Sequence, residues 1–345
     1  MAEPSPVGVR ALREGGVARI LLDRPRALNA LDLPMIRRVR ELLENWRAEP
    51  LRAITIESST AGVFCAGGDI RRIRQNTLDG DLEASEEFFA TEYRVNEMLA
   101  AYPMPVVAVI DGVCMGGGLG LSVHGPFRVV TERAILAMPE TAIGFFPDVG
   151  ASHFLSRLPG GVGAYLALTG ARLGAADALG IGLATHHVAS WNLPALLRLL
   201  AEDPRPVDAV LRDLASVPAR GSALARHRGH IDLAFTASDV AGVFRRLGND
   251  TGDWACQTRK ALESMSPQSL DLTLDLLLWG RQRSLRECLD AEREAGRYVV
   301  RSPDFIEGVR AALVDKDRSP RWGESRYRGM SPDGTVRWAD EAPVT

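Results

Sequence analysis

The sequence predicts an α/β protein whose second half is helical. Three observations point that way. Short apolar runs (VARILL at Val17–Leu22, AITI at residues 53–56, VVAVI at Val106–Ile110) alternate with helical stretches up to about residue 190. Such alternation is what parallel strands joined by right-handed crossover helices produce. From Leu193 onward the apolar residues recur at helical spacing in six segments, from LPALLRLLAED to LRECLDAEREAGRYVV,. Finally, glycine turns at residues 66–68 and 116–118 each stand between a strand and a helix.

Residues 1–16 read as a loose start before the first strand, which closes at Asp23-Arg24-Pro25. Asn29 or Asp32 can cap a helix with Met35, Ile36, Val39, Leu42, Leu43 and Trp46 on its apolar stripe,. A buried strand at 53–56 leads to VFCAGGDIRRI, a strand, glycine turn and helix. Residues 81–101 form a helix with Phe88, Phe89, Tyr93, Met98 and Leu99 inward, ended by Pro103 and Pro105,. The next stretch, 105–150, organises the chain. An apolar strand turns at Asp111-Gly112, glycines cluster at 116, 117, 118 and 120, and a second strand at 134–138 delivers Glu140. A Gly/Pro loop then delivers Asp148. Residues 151–190 read as short helices, a Gly-rich break and a terminal strand. Joints near 204–206, 217–221 and 265–267 divide the helical part, and the tail after Trp322 reads as polar surface chain,. The expected division is a core over 1–190, a helical region over 191–322 and a tail over 323–345.

The chain has 345 residues, 46% hydrophobic and 25% charged, enough for a large core in one or two domains,. A net charge of −3 gives no basic field for nucleic acid,. No apolar run approaches the length of a membrane span,. Residues 1–16 lack an apolar leader and carry acidic residues, so a cytoplasmic location is expected,. Cys65, Cys114, Cys256 and Cys288 form no CxxC or Cys/His pattern, so a disulfide framework or zinc site is not expected,. His124, His153, His186 and His187 read as core or surface histidines, and Arg128 and Arg157 as structural. Lys316 is read either as a ligand of a phosphate group or as a partner of Asp315 or Asp317.

Three familiar motifs fail. The position that would complete G-x-G-x-x-G after Gly116 and Gly118 is Leu121, neither lysine follows a glycine as a P-loop requires, and no G-x-S-x-G is present,. Acyl transfer remains. If the two glycine turns meet, two backbone N–H groups can hold one carbonyl oxygen, and such a hole is often the largest catalytic contribution. Glu140 and Asp148 lie eight residues apart in a segment nearly free of other charge. Carboxylates in apolar surroundings are unfavourable unless paired or used.

The segments FCAGGDIR, CMGGGLGLSVHGPFRV, MPETAIGFFPDVGASHFLSRLPG, LALTGARL and ATHHV resemble the crotonase (enoyl-CoA hydratase/isomerase) superfamily. With SMSPQSL and SPDFIEGVRAALVDKDRSPRW, they look closest to its 3-hydroxyisobutyryl-CoA hydrolase branch. The resemblance spans about 16–190 and 258–322. It implies a crotonase-like ββα spiral core with an α-helical C-terminal region, and an acyl-CoA substrate with CoA as part of it rather than a separate cofactor. It also implies a homo-oligomer such as a trimer or hexamer, while the charge balance and the short apolar runs lead to no expected nucleic-acid or membrane partner,.

Residue by residue, the resemblance assigns the oxyanion hole to N–H groups among Ala66, Gly68 and Gly117, and catalysis to Glu140 and Asp148. Glu92 is a substrate contact. Arg26, Ala27, Leu28, Ala66, Asp69 and Ile70 line the CoA site. The second hydratase glutamate falls at Gly120, which argues for thioester hydrolysis over hydration. Glu140 attacks the thioester or activates water. Asp148 protonates the leaving thiolate or grips a substrate hydroxyl, and its apolar flanks would favour the raised pKa a donor needs. An enoyl-CoA hydratase or isomerase, and a silent acyl-CoA-binding protein, are the competing expectations.

Overall fold

Six strands carry the sheet that the apolar runs predict. β1 (Val9–Glu14), β2 (Val17–Leu22), β3 (Ala53–Ser58), β5 (Val106–Ile110), β7 (Phe127–Val130) and β9 (His186–His187) lie in that order. A second sheet has the order β4 (Gly62–Cys65), β6 (Gly112–Met115) and β8 (Ile135–Ala137). A computed structural model describes residues 7–339 of the chain. In the larger sheet every pair from β2 to β9 is parallel, and only β1 runs antiparallel. The loose start expected before residue 17 is corrected here. Val9 to Glu14 pair with Leu22 to Val17 across the two-residue turn Gly15-Gly16. The Gly-Gly turn was a hairpin signal in the sequence. Residues 1–6 lie outside the described residues.

The chain divides into two units. One runs to Asp69 and includes Glu87–Leu136 and Arg172–Ala225. The other takes Ile70–Glu86, Ala137–Ala171 and the chain from Arg226 on. The boundary expected after residue 190 is therefore replaced. Helices Leu193–Glu202 and Val207–Leu214 bury Leu196, Leu200, Val207, Val210 and Leu211 against Val107, Val109, Val129 and Val188, so they belong with the sheet. Each fully buried Leu or Val contributes about 1.5–3 kcal/mol. Helix Leu33–Trp46 starts as its sequence predicts. The Asp32 carboxylate accepts from Met35 N at 3.0 Å, and all six stripe residues are buried,. Phe88, Phe89, Tyr93, Met98 and Leu99 of helix Leu82–Ala100 are buried too.

The second unit is built around helix Pro267–Gly280, which buries Leu270, Leu272, Leu274, Leu276 and Leu277. Ser266 caps it and donates to Asp304 at 2.5 Å. A side chain at Gly280 would overlap the Ser152 carbonyl, so this helix lies tight against residues 151–154. Phe145 stacks on Phe146 at 4.5 Å and touches Phe305 at 5.8 Å. The expected surface tail is instead a hairpin, β10 (Tyr327–Met330) with β11 (Val336–Trp338). Tyr327 donates to Asp275 at 2.6 Å, and Trp338 stacks on Tyr298, which explains why a polar, turn-rich segment is held down. Residues 340–345 lie outside the described residues.

Candidate active site

In the first unit the two glycine turns are neighbours. β4 ends at Cys65, and the following loop is bonded to residues 28–31. Ala66 N donates to Leu28 O at 3.0 Å, Leu31 N to Gly67 O at 2.8 Å, and Asp69 N to Leu31 O at 2.8 Å. Asn29 locks that second segment. Its fully buried amide accepts from Arg24 N and donates to Ser58 Oγ and Phe64 O. β6 leads through Gly116 (φ +47°) into helix Gly117–Val123, whose first N–H groups have no partner within the helix,. A Cβ placed on Gly67 would lie 3.7 Å from Gly117 N, and one placed on Gly117 would lie 3.4 Å from Gly68 N. The same Cβ on Gly117 would overlap Glu92 Oε1. One on Gly118 would stand 2.7 Å from the Cys65 carbonyl. Glycine is required at both positions by close approach.

The expected hole residues thus separate. Gly68 and Gly117 are side by side, whereas the N–H of Ala66 is already engaged by Leu28 O. Ala66 is therefore corrected from donor to anchor: its hydrogen bond joins the glycine loop to the 28–31 segment. Glu92 is 2% exposed and stands against Gly117. Asn96, one helical turn further, is fully buried with both amide atoms lacking hydrogen-bond partners. Burial pushes the Cys65 thiol up to about 12, and the charge of Glu92 adds to the push.

Of the expected CoA-site residues, Arg26 and Leu28 are exposed on a 3-10 turn, Pro25–Ala27. The N–H groups of Ala27 and Leu28 are bonded inside that turn, to Arg24 O and Pro25 O. Asp69 pairs with Arg24 at 2.9 Å. Ile70 opens helix Ile70–Asp79 in the second unit.

The second unit carries the carboxylates. Glu140 opens a 3-10 turn, Glu140–Ile143, directly after Pro139. It is 7% exposed and its Oε2 has no hydrogen-bond partner. Burial, with the charge of Asp148 added, pushes its carboxyl well above the usual glutamate range,. Asp148 is 6% exposed and precedes Val149, whose φ of +53° is strained for a β-branched residue,.

The sequence reading missed Glu292. It lies on helix Leu285–Val299, is fully buried, and accepts from Gly150 N at 2.7 Å, Ser152 N at 2.9 Å and Ser152 Oγ at 2.5 Å. Burial raises its carboxyl to about 8, opposed by those hydrogen bonds and helped by the charge of Asp148. A signal was present: Cys288, Glu292, Ala295 and Val299 share one helical stripe, so Glu292 is a carboxylate on an apolar face,.

Arg128 and Arg157 are structural. Arg128 donates to the Gly125 and Leu183 carbonyls, and Arg157 to those of Gly280 and Arg283. Asp315 and Asp317 both bind Arg310, so neither is the reserved partner of Lys316. Among the described residues no helix is long and apolar enough to cross a membrane.

A family profile described as enoyl-CoA hydratase/isomerase matches residues 17–337. The chain is 40% identical to a Gallus gallus protein named 3-hydroxyisobutyryl-CoA hydrolase, mitochondrial, over 95% of this chain and 88% of that one. It is 39% identical to the Arabidopsis thaliana probable 3-hydroxyisobutyryl-CoA hydrolase 3, over 96% and 90%. Among solved structures, a carnitinyl-CoA dehydratase from Mycobacterium thermoresistibile superposes with a TM-score of 0.86 at 36% identity, covering 91% of each chain. An enoyl-CoA hydratase from Rhodobacter sphaeroides 2.4.1 gives 0.83 at 36% identity, covering 95% of this chain and 94% of that one.

Proposed function

The chain belongs to the enoyl-CoA hydratase/isomerase family, and from that premise we propose that it is an acyl-CoA thioester hydrolase acting on 3-hydroxyisobutyryl-CoA. The observation that carries the reading is the Glu140–Asp148 pair: two buried carboxyl groups, close enough for the charge of Asp148 to raise Glu140, whose Oε2 is left without a partner. The curated relatives named as 3-hydroxyisobutyryl-CoA hydrolases support the substrate.

In this reading the N–H groups of Gly68 and Gly117 donate to the thioester oxygen as it gains negative charge. Glu140, once ionised, either attacks the carbonyl carbon to give a mixed anhydride that water then cleaves, or takes a proton from the attacking water. The C–S bond breaks, Asp148 gives its proton to the departing sulfur, and the products are the hydroxy acid and free CoA. Glu92 and the exposed turn at residues 26–28 hold the acyl-CoA. Valine breakdown in the cytoplasm is the setting this reading implies.

The test is thiol release across branched and straight 3-hydroxyacyl-CoAs. Fastest turnover is expected with the 3-hydroxyisobutyryl thioester, and no release from any member of the panel would sink the reading. Label found in Glu140 after a single turnover in labelled water would establish the anhydride route with water attacking the Glu140 carbonyl, because a general base keeps its own oxygens. The solved structures named as a dehydratase and a hydratase favour a second reading, hydration of an enoyl-CoA. Gly120 in place of a second glutamate opposes it, and loss of enoyl absorbance without thiol release would establish it.

A further inference from the structure

Glu292 has no part in the chemistry above, yet it is as deeply buried as any carboxylate in the chain. Its two oxygens accept three hydrogen bonds, all from the two residues Gly150 and Ser152. Those residues stand two and four positions after Asp148. Between them and Asp148 stands Val149, fully buried and held at φ +53°. A β-branched residue stays in that region only where its surroundings over-determine it. Here the over-determination is visible. Gly150 N, the next group along the backbone, is fixed by Glu292. Ala151 N bonds back to the Asp148 carbonyl at 2.9 Å. The groups facing Glu292 are Gly150, Ser152, Asp148 and Cys288. The carboxylate itself stands on a different helix, Leu285–Val299, far along the sequence.

We propose that Glu292 is a positioning residue: by clamping Gly150 and Ser152 it holds the strained turn that aims the Asp148 carboxylate. The proposal rests on the assignment of Asp148 to the reaction. A carboxyl group suits this task because each of its oxygens can accept an N–H of the turn, which the amide nitrogen of a glutamine cannot. In Glu292→Gln the shape survives, but one acceptor becomes a donor facing an N–H.

The experiment is a double-mutant cycle of Glu292→Gln and Asp148→Asn, read as kcat and KM for thiol release by the whole chain. If Glu292 acts through Asp148, the Gln variant loses about tenfold or more in kcat with KM within about threefold, and adds less than about threefold on top of Asp148→Asn. Equal losses in both backgrounds would mean a general structural role and overturn the proposal. A folded Gln variant at full rate, beside a slow Asp148→Asn, would overturn it while leaving Asp148 in the mechanism. Full turnover by Asp148→Asn would remove Asp148 from the mechanism, and this proposal with it. If Glu292→Gln is not recovered folded, Ser152→Ala takes its place in the cycle. It deletes one of the three hydrogen bonds and keeps the carboxylate. A loss confined to the Asp148 background supports the clamp, and a loss of the same size in both overturns it.

Discussion

The glycine cradle of the first unit and the carboxylate loop of the second solve opposite electrostatic problems. The cradle is made of backbone. Gly68 and Gly117 present neutral N–H groups, and what the fold must supply there is closeness, enforced by the absence of a Cβ,. The loop is made of charge. Glu140, Asp148 and Glu292 are all buried, and the charge of Asp148 opposes ionisation of both glutamates,. The cradle therefore tolerates no added atom, whereas the loop tolerates no unbalanced proton. Volume is the sensitive variable in one and pH in the other.

The largest effect expected belongs to the loop. Glu140→Gln should lower kcat for thiol release by about 10²–10⁴-fold, since it removes the group that attacks or activates water. Activity within tenfold of the parent would break the comparison outright. The cradle comes next. Gly117→Ala pushes a methyl into Glu92, so about 10²–10³ in kcat/KM should be lost, together with about 1–3 kcal/mol of stability from overpacking. An alanine variant that folds and turns over normally would show that closeness is not what the cradle provides.

Asp148→Asn removes one of the two influences that raise the Glu140 carboxyl. The acid limb of its kcat/KM profile should lie at lower pH than in the parent. An unmoved limb would leave burial as the sole cause.

Glu292 gives a stability test of the same idea. Its carboxyl is raised from 4.5 to about 8 on folding. The folded chain then keeps a proton that the unfolded chain has released over that interval. That contribution is whole below about pH 4.5 and is lost as pH rises toward about 8. Compared with Glu292→Gln, the parent should lose at most about 5 kcal/mol across this window, taking about 1.4 kcal/mol per pH unit. Parallel denaturation curves for the two proteins from acid to neutral pH would contradict it. The smallest effect should come from thiol reagents. Cys65 is buried beside the cradle with its thiol at about 12, while Cys256 is exposed. Mass spectrometry should find Cys256 alkylated and Cys65 intact, with activity within about twofold.

Much of this was legible in the chain. The strands at 17–22, 53–56 and 106–110 came from period, and capping chemistry offered Asn29 or Asp32, of which the structure uses Asp32. Both glycine turns and both loop carboxylates stood out as residue types in the wrong company for a plain core. The first hairpin was missed because Val9–Glu14 is mostly exposed and reads as polar chain, despite its Gly-Gly turn. The tail was missed because Tyr327 and Trp338 are anchored by partners dozens of residues away in sequence.

What the sequence determined alone is local: where strands and helices begin, which turns need glycine, and that Glu140 and Asp148 sit among apolar neighbours. Those follow from backbone sterics and side-chain periodicity within a few residues. Only the tertiary structure decided which N–H groups remain for a ligand, that helices 193–202 and 207–214 belong with the sheet, and that Glu292 grips the loop behind Asp148. Each of these depends on what distant segments place against a group, because hydrogen bonding and desolvation are set by neighbours in space.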